Sequence, residues 1–446
     1  FLLVELLVNL SILFFAMEEN CSFSTMSVWQ KIFAEHWGGF VENYIQSTGE
    51  LPPPHWEENV SRMLTCGDIS EGYYEYQCQD CGATRKVGFT CKSRLCLRCF
   101  KTAIDDWLEQ IKSILFEGVV HRQVVLTIPT DLRPLIMIDE RFMKAFVDAG
   151  ALATRLLIEE WRPKKRIRPG IVAVLQFHGR SGAQNPHLHL IVSEGGVGKN
   201  GEWHKVDYFH TKKLRKKWQY CLLMALKKAL RGTKYQKEWL PIVNSMFDRY
   251  KSGFECNCMP EKGEVEKLIL YLCKYVSSPP ISSRRIVEYD GQNVTFRYDD
   301  HRKGDTEEKL SANEFILRMI HNLPPKNFRM VRYYGIYARP VRKKVRNRIL
   351  GTLQQLVVQT KILARRFKPY RGSTMPQASK QAVTKLPMYC SQCGSINLKL
   401  IRVWDKHKGF VYNSIRDGPV YHPTTSYSKQ KRPLYSRFVQ MLLPIN

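Results

Sequence analysis

The sequence predicts an α+β protein: an antiparallel sheet with packed helices, preceded by a small zinc-binding module and followed by a basic C-terminal region. Three observations carry this. Residues 120 to 338 alternate short apolar runs with amphipathic stretches. Six cysteines crowd between positions 66 and 99. The chain of 446 residues is 44% hydrophobic and 11% aromatic, too apolar for a disordered polymer and long enough for two or three domains.

Taken in order, Phe1 to Ala16 is apolar apart from Glu5, Asn9 and Ser11. It is shorter than the roughly 20 residues of a spanning helix and lacks the positive start of a signal peptide. Residues 1–25 are therefore read as a leader upstream of a start at Met17 or Met26. Trp29, Ile32, Phe33, Trp37 and Phe40 follow at helical spacing, and Pro52-Pro53-Pro54 separates them from a second short helix through Val60 and Leu64. The zinc-binding domain is expected over 26–115.

A larger α+β domain is expected over 120–338. Val124 to Ile128 reads as a buried strand closed by Pro129, and residues 140–161 as a helix. Ile171–His178 and Leu188–Val192 form a hairpin across a loop marked by Gly179, Gly182 and Asn185-Pro186. Thr211–Leu230 is a basic amphipathic helix. Glu264–Val276 is another, stopped by Pro279-Pro280. Ile286–Tyr298 turns at Asp290-Gly291. The region 339–446 is basic and ends the organisation, with Cys390-x2-Cys393-Gly394 inside it.

The formal charge is +28, which calls for an anionic partner, and with the aromatic content nucleic acid fits best. No stretch is long and apolar enough to span a bilayer, so a soluble protein with no membrane partner is expected. Gly195-Gly196-Val197-Gly198-Lys199-Asn200 only loosely resembles a phosphate-binding loop. Asn200 replaces the Ser/Thr and Ser193 replaces the first Gly, so no ATP site is read here. Strand separation would fall to host helicase or replication proteins.

Cys78-x2-Cys81 and Cys96-x2-Cys99 can supply four thiolates to one tetrahedral structural Zn²⁺. Cys66 and Cys91 are extra: a second site, a share in the first, and free thiols are all open. Cys390-x2-Cys393 is a lone half-site, which could pair with Cys256 and Cys258 or with a second chain. Arg94 and Arg98, between and beside the thiols, suit contact with DNA phosphates, as do Lys212, Lys213 and Arg215 on the basic helix.

His187-Leu188-His189 lies on a strand, where period two puts both imidazoles on one face. Two histidines so placed can grip a divalent cation, and Gln176 or His178 on the preceding strand could complete the shell, Gln176 first. Tyr271 and Tyr275 share one helical face, with Lys274 adjacent as a DNA contact. Each pair alone is more commonly structural. Together they fit one reaction. A metal acts as Lewis acid on a scissile phosphate, and a tyrosine forms a 5′-phosphotyrosine bond and frees a 3′-hydroxyl. A second tyrosine allows a second cleavage while the first adduct persists.

These segments resemble the HUH-type, two-tyrosine rolling-circle transposases of the IS-ninety-one kind. The residues that carry the resemblance are Cys66, Cys78-x2-Cys81-Gly82, Ser93-Arg94-x-Cys96-x2-Cys99, Leu126-Thr127-Ile128-Pro129, Asn185-Pro186-His187-Leu188-His189, Tyr271-Leu272-x2-Tyr275, Pro280-Ile281-Ser282 and Arg332-x-Tyr334-Gly335. The resemblance implies an N-terminal zinc-binding domain and a nuclease needing Mg²⁺ or Mn²⁺. It also implies recognition of element-end DNA and movement through single-stranded DNA. By position, His187 and His189 would be metal ligands and Tyr271 and Tyr275 nucleophiles. Relatives often carry His at position 176; Gln there can coordinate through its oxygen. A plasmid replication initiator or relaxase shares this chemistry, and a non-catalytic zinc-dependent DNA-binding protein would keep only the binding half.

Overall fold

The computed structural model describes residues 26–116, 118–161, 163–206, 209–259, 269–270, 272–273, 279–300, 303–345 and 390–417. Its elements begin with α1 (Val28–Thr48), α2 (Pro54–Leu64), β1 (Gly72–Cys78), β2 (Thr84–Gly88), α3 (Phe100–Ile114), β3 (His121–Leu126), α4 (Arg133–Ile138) and α5 (Glu140–Glu159). They continue with β4 (Arg168–His178), β5 (Gln184–Val197), β6 (Trp203–Lys205), α6 (Thr211–Leu230), α7 (Gln236–Arg249) and β7 (Cys256–Met259). The last are β8 (Ile286–Tyr289), β9 (Asn293–Asp300), β10 (Gly304–Ser311), α8 (Ala312–Ile320), β11 (Val331–Gly335), β12 (Leu398–Asp405) and β13 (Gly409–Asn413). This is the α+β architecture that the sequence predicts.

The chain divides into two compact units, one of residues 1–57 and 100–377, the other of 58–99 and 378–446. In the first, an antiparallel sheet runs in the order β11-β4-β5-β3-β7, with β6 added to β5. Each face of this sheet has its own core, because alternate residues point opposite ways. Leu126, Leu175, Leu188 and Leu190 pack with Phe146 of α5 and Trp218 and Leu222 of α6. Val172, Val174 and Ile191 face the other way, against Ile111 of α3 and against Ile269, Leu272 and Cys273.

Gly150 lets α5 sit directly on the sheet: a Cβ there would lie 2.5 Å from Leu188 Cδ1. Trp218 anchors α6 to the same face, its indole N–H donating to the Thr127 carbonyl at 2.8 Å. At the sheet edge, Tyr334 donates to Asp148 of α5 at 2.6 Å. Gly335 turns there with φ +63, where a Cβ would meet the Pro169 carbonyl oxygen at 1.7 Å. Arg332-x-Tyr334-Gly335 is thus a packing device.

A second sheet in this unit, β10-β9-β8, carries α8. Phe315 of α8 meets Trp29 of α1 edge-on, with ring centres 5.7 Å apart. A capping box of Ser311 and Glu314 starts α8. The five apolar residues expected along the first helix are all buried.

The other unit holds the sheet β13-β12-β1-β2. β12 pairs antiparallel with β1 from Gly72↔Asp405 to Cys78↔Leu398. The sequence-based boundaries differ here. Of the segment expected to form its own zinc-binding domain over 26–115, residues 58–99 share this unit with residues 390–417, and the remainder falls in the first unit. Residues 390–417 were expected to fall in a separate basic region over 339–446. Strand pairing and cysteine proximity, both long-range, explain the difference. The expected leader over 1–25 lies outside the described residues, as does most of the helix expected over 264–276. Within that helix 269–270 and 272–273 are helical. Among the described residues no helix is long and apolar enough to cross a membrane.

Candidate metal and cysteine sites

β4 and β5 pair with Gln176 opposite His187 and Val174 opposite His189. Period two then sends Gln176, His187 and His189 out from the face that also presents Val172, Val174 and Ile191. Leu188, between the histidines, is wholly buried on the opposite face. The two imidazole centres are 4.9 Å apart. His189 Nε2 lies 2.8 Å from Gln176 Oε1, and both residues are buried.

The local hydrogen bonds set the ring protons. His187 donates from Nδ1 to the Asn185 carbonyl at 2.6 Å, which leaves the lone pair on Nε2. His189 Nδ1 is 3.3 Å from the Gln123 amide nitrogen on β3. Burial pushes the His189 imidazolium down to about 3 and lowers that of His187 as well, so both rings are neutral at physiological pH. Neutral imidazoles and a carbonyl oxygen are donors that suit a divalent cation. The alternative third ligand, His178, follows a bulge and donates from Nδ1 to the Gly179 carbonyl at 3.1 Å. Asn185 and Gln123, which hold the two rings, were not singled out as site residues; the signal for Asn185 was its place two residues before His187.

Tyr271, Lys274 and Tyr275 lie outside the described residues. Their neighbours Ile269, Leu272 and Cys273 are buried in the same core as Val172, Val174 and Ile191. Ile269, Leu272 and Cys273 therefore pack on the sheet face that carries the histidines.

Eight of the described cysteines fall into two groups of four, each with its sulfurs within 4.8 Å of one another. One is Cys66, Cys91, Cys96 and Cys99, with Cys66 Sγ 3.5 Å and Cys91 Sγ 3.7 Å from Cys99 Sγ. The other is Cys78, Cys81, Cys390 and Cys393. This corrects the one-ion expectation: Cys78-x2-Cys81 and Cys96-x2-Cys99 belong to different groups, because the β1–β2 hairpin carries the first pair away from the second. Cys66 and Cys91 complete the group of Cys96 and Cys99. Cys390 and Cys393 meet neither Cys256 nor Cys258.

In the first group, sulfur hydrogen bonds from Cys91, Cys96 and Cys99 hold the Cys66 thiol far below its ordinary range. Arg98 is occupied structurally, donating to the Cys66 carbonyl at 2.9 Å. Arg94 is half-buried, and desolvation lowers its guanidinium to about 10. Lys212 and Lys213 are exposed in the first turn of α6, whereas Arg215 is paired with Glu255.

Residues 170–345 match the family model described as "Putative transposase", and residues 32–128 match the model described as "Transposase zinc-binding domain". The chain is 27% identical over 353 residues to the "Transposase for insertion sequence element IS801" of Pseudomonas savastanoi pv. phaseolicola, covering 76% of this chain and 82% of that protein. It is also 27% identical over 299 residues to the "Putative transposase y4qJ" of Sinorhizobium fredii (strain NBRC 101917 / NGR234), covering 64% and 75%. No solved structure matches. With both domain models in tandem and these relatives along most of its length, the chain belongs to the family of insertion-sequence transposases that carry an N-terminal zinc-binding domain.

Proposed function

We propose that this transposase nicks and rejoins single-stranded DNA at element ends through a 5′-phosphotyrosine intermediate, as in rolling-circle transposition. The observation that carries the reading is the shared sheet face. His187, His189 and Gln176 emerge from it, and the core around Ile269, Leu272 and Cys273 covers it.

His187, His189 and Gln176 would hold the divalent ion. A bound Mg²⁺ or Mn²⁺ would supply Lewis-acid neutralisation of the non-bridging phosphate oxygens. Tyr271 or Tyr275 attacks phosphorus; the phenol loses its proton and a P–O(Tyr) bond forms. The bond from phosphorus to the 3′ oxygen breaks, and that oxygen gains a proton as a free 3′-hydroxyl. Bond energy stays in the phosphotyrosine, so rejoining needs no nucleotide cofactor. Asn185 keeps the His187 proton on Nδ1, and the exposed Lys212 and Lys213 attract the DNA backbone.

The test is incubation of full-length protein with single-stranded element ends and Mn²⁺. A DNA-linked peptide spanning 271–275 is expected by mass spectrometry. Its loss in Tyr271→Phe plus Tyr275→Phe, with DNA binding retained, is the supporting result. Nicking that survives the double substitution overturns the nucleophile assignment, and binding without any adduct in the unaltered protein favours a purely DNA-binding role.

A further inference from the structure

The cysteines at 78, 81, 390 and 393 form a group that the matched zinc-binding region, ending at 128, does not contain. Its two halves have the same local construction. In one, Cys78 N–H donates to the Ala83 carbonyl at 2.8 Å, and Gly82 N–H to the Cys78 carbonyl at 3.0 Å. In the other, Cys390 N–H donates to the Ser395 carbonyl at 2.7 Å, and Gly394 N–H to the Cys390 carbonyl at 2.9 Å. Gly82 and Gly394 take φ values of +76 and +74, a left-handed turn that favours glycine.

In both halves the first cysteine is buried and the second exposed. Each half is thus a turn that presents two sulfurs to one point.

The halves face each other crosswise, Cys78 Sγ 3.6 Å from Cys393 Sγ and Cys81 Sγ 3.5 Å from Cys390 Sγ. Zinc–sulfur bonds of about 2.3 Å at tetrahedral angles put sulfurs roughly 3.8 Å apart, whereas a disulfide needs about 2.05 Å. The protein also clamps the halves directly. Gln79 N–H donates to the Asn397 carbonyl at 2.9 Å, and Asp80 accepts from Ser395 and from Asn397 at 3.1 Å.

We propose that Cys78, Cys81, Cys390 and Cys393 bind a second structural zinc, which fastens residues 390–417 into the zinc-binding unit. The site joins two pairs set 309 residues apart. Its two exposed sulfurs make it the more accessible of the two centres to chelators and oxidants.

The test is zinc content of the full-length protein by native mass spectrometry after dialysis against metal-free buffer. Two zinc ions per chain are expected, falling to one in C390S/C393S and to one in C66S/C91S. A single zinc in the unaltered protein, or two retained in C390S/C393S, overturns the proposal. Thiol alkylation of the unaltered protein provides a readout independent of variant folding. With zinc present all four thiols should be protected, and on chelation all four should become reactive together, ahead of Cys66, Cys91, Cys96 and Cys99. Labelling of Cys390 and Cys393 while Cys78 and Cys81 stay protected overturns it, as does recovery of a Cys81–Cys390 disulfide from freshly purified, zinc-replete protein.

Discussion

His189 and Gln176 are diagonal neighbours on adjacent strands, and Nε2 of one meets Oε1 of the other at 2.8 Å. Across an antiparallel pair such residues are within reach only when both side chains leave the same face. A cation replacing the proton between them would find two donors already converged. Gln176→Ala should weaken Mn²⁺ binding by about 10–100-fold, taking outer-shell losses as the lower guide. Gln176→His should restore it. Titration calorimetry with Mn²⁺ on zinc-replete protein measures both, and unchanged binding by Gln176→Ala would remove Gln176 from the ligand set.

Acid should destabilise the first unit through His121. This residue is 2% exposed, and its Nε2 is 2.6 Å from the Tyr337 hydroxyl. Burial pushes its imidazolium from 6.5 down to about 4. The unfolded chain therefore binds a proton that the folded chain refuses. Stability is full above about pH 6.5 and is lost as pH falls towards 4. At pH 5 the loss from this group is on the order of 1–2 kcal/mol. Thermal melts between pH 7.5 and 5 should show the decline, and His121→Gln should flatten part of it. An unchanged slope in that variant would place the acid sensitivity elsewhere.

Leu188 links the core to the sheet face that carries the histidines. Replacing it with Ala opens a cavity between the sheet and α5, at a cost of about 2–5 kcal/mol. Urea unfolding should show a lower midpoint at unchanged slope. Because both neighbouring histidines ride on the same strand, Mn²⁺ affinity should fall too, although neither ligand is altered.

DNA binding should weaken steeply with salt, as expected when several phosphates are neutralised. Lys212→Ala plus Lys213→Ala should lower affinity at all sequences alike and reduce the salt slope by about 1–2. Arg98→Ala should behave differently. Its guanidinium supports the Cys66 carbonyl, so zinc retention is the quantity expected to change. Equal salt slopes for the lysine variant and the unaltered protein would rule out this turn of α6 as a phosphate contact.

Much of the sheet was legible because its signals are local. The alternation around His187 and His189 gave the face, and the amphipathic run Thr211–Leu230 gave α6 to the residue. Three features resisted. Gly304–Ser311 is a charged run whose strand character comes from pairing with β9. Gln236–Arg249 holds Pro241 inside a helix, where proline normally argues for a break. The cysteine partners were hidden most deeply. Spacing states which sulfurs can share an ion, but not which hairpin carries a pair away from its sequence neighbours.

The joining of Cys81 to Cys390 also orders the protein's manufacture. A ribosome delivers Cys78 and Cys81 early, yet their partners emerge only after the entire transposase domain. During that interval the early pair is an unfinished turn awaiting its counterpart. A chain released after Tyr275 but before Cys390 would contain every candidate nuclease residue and still lack the clasp. Completion of this centre is therefore a mark of a chain translated past Cys393.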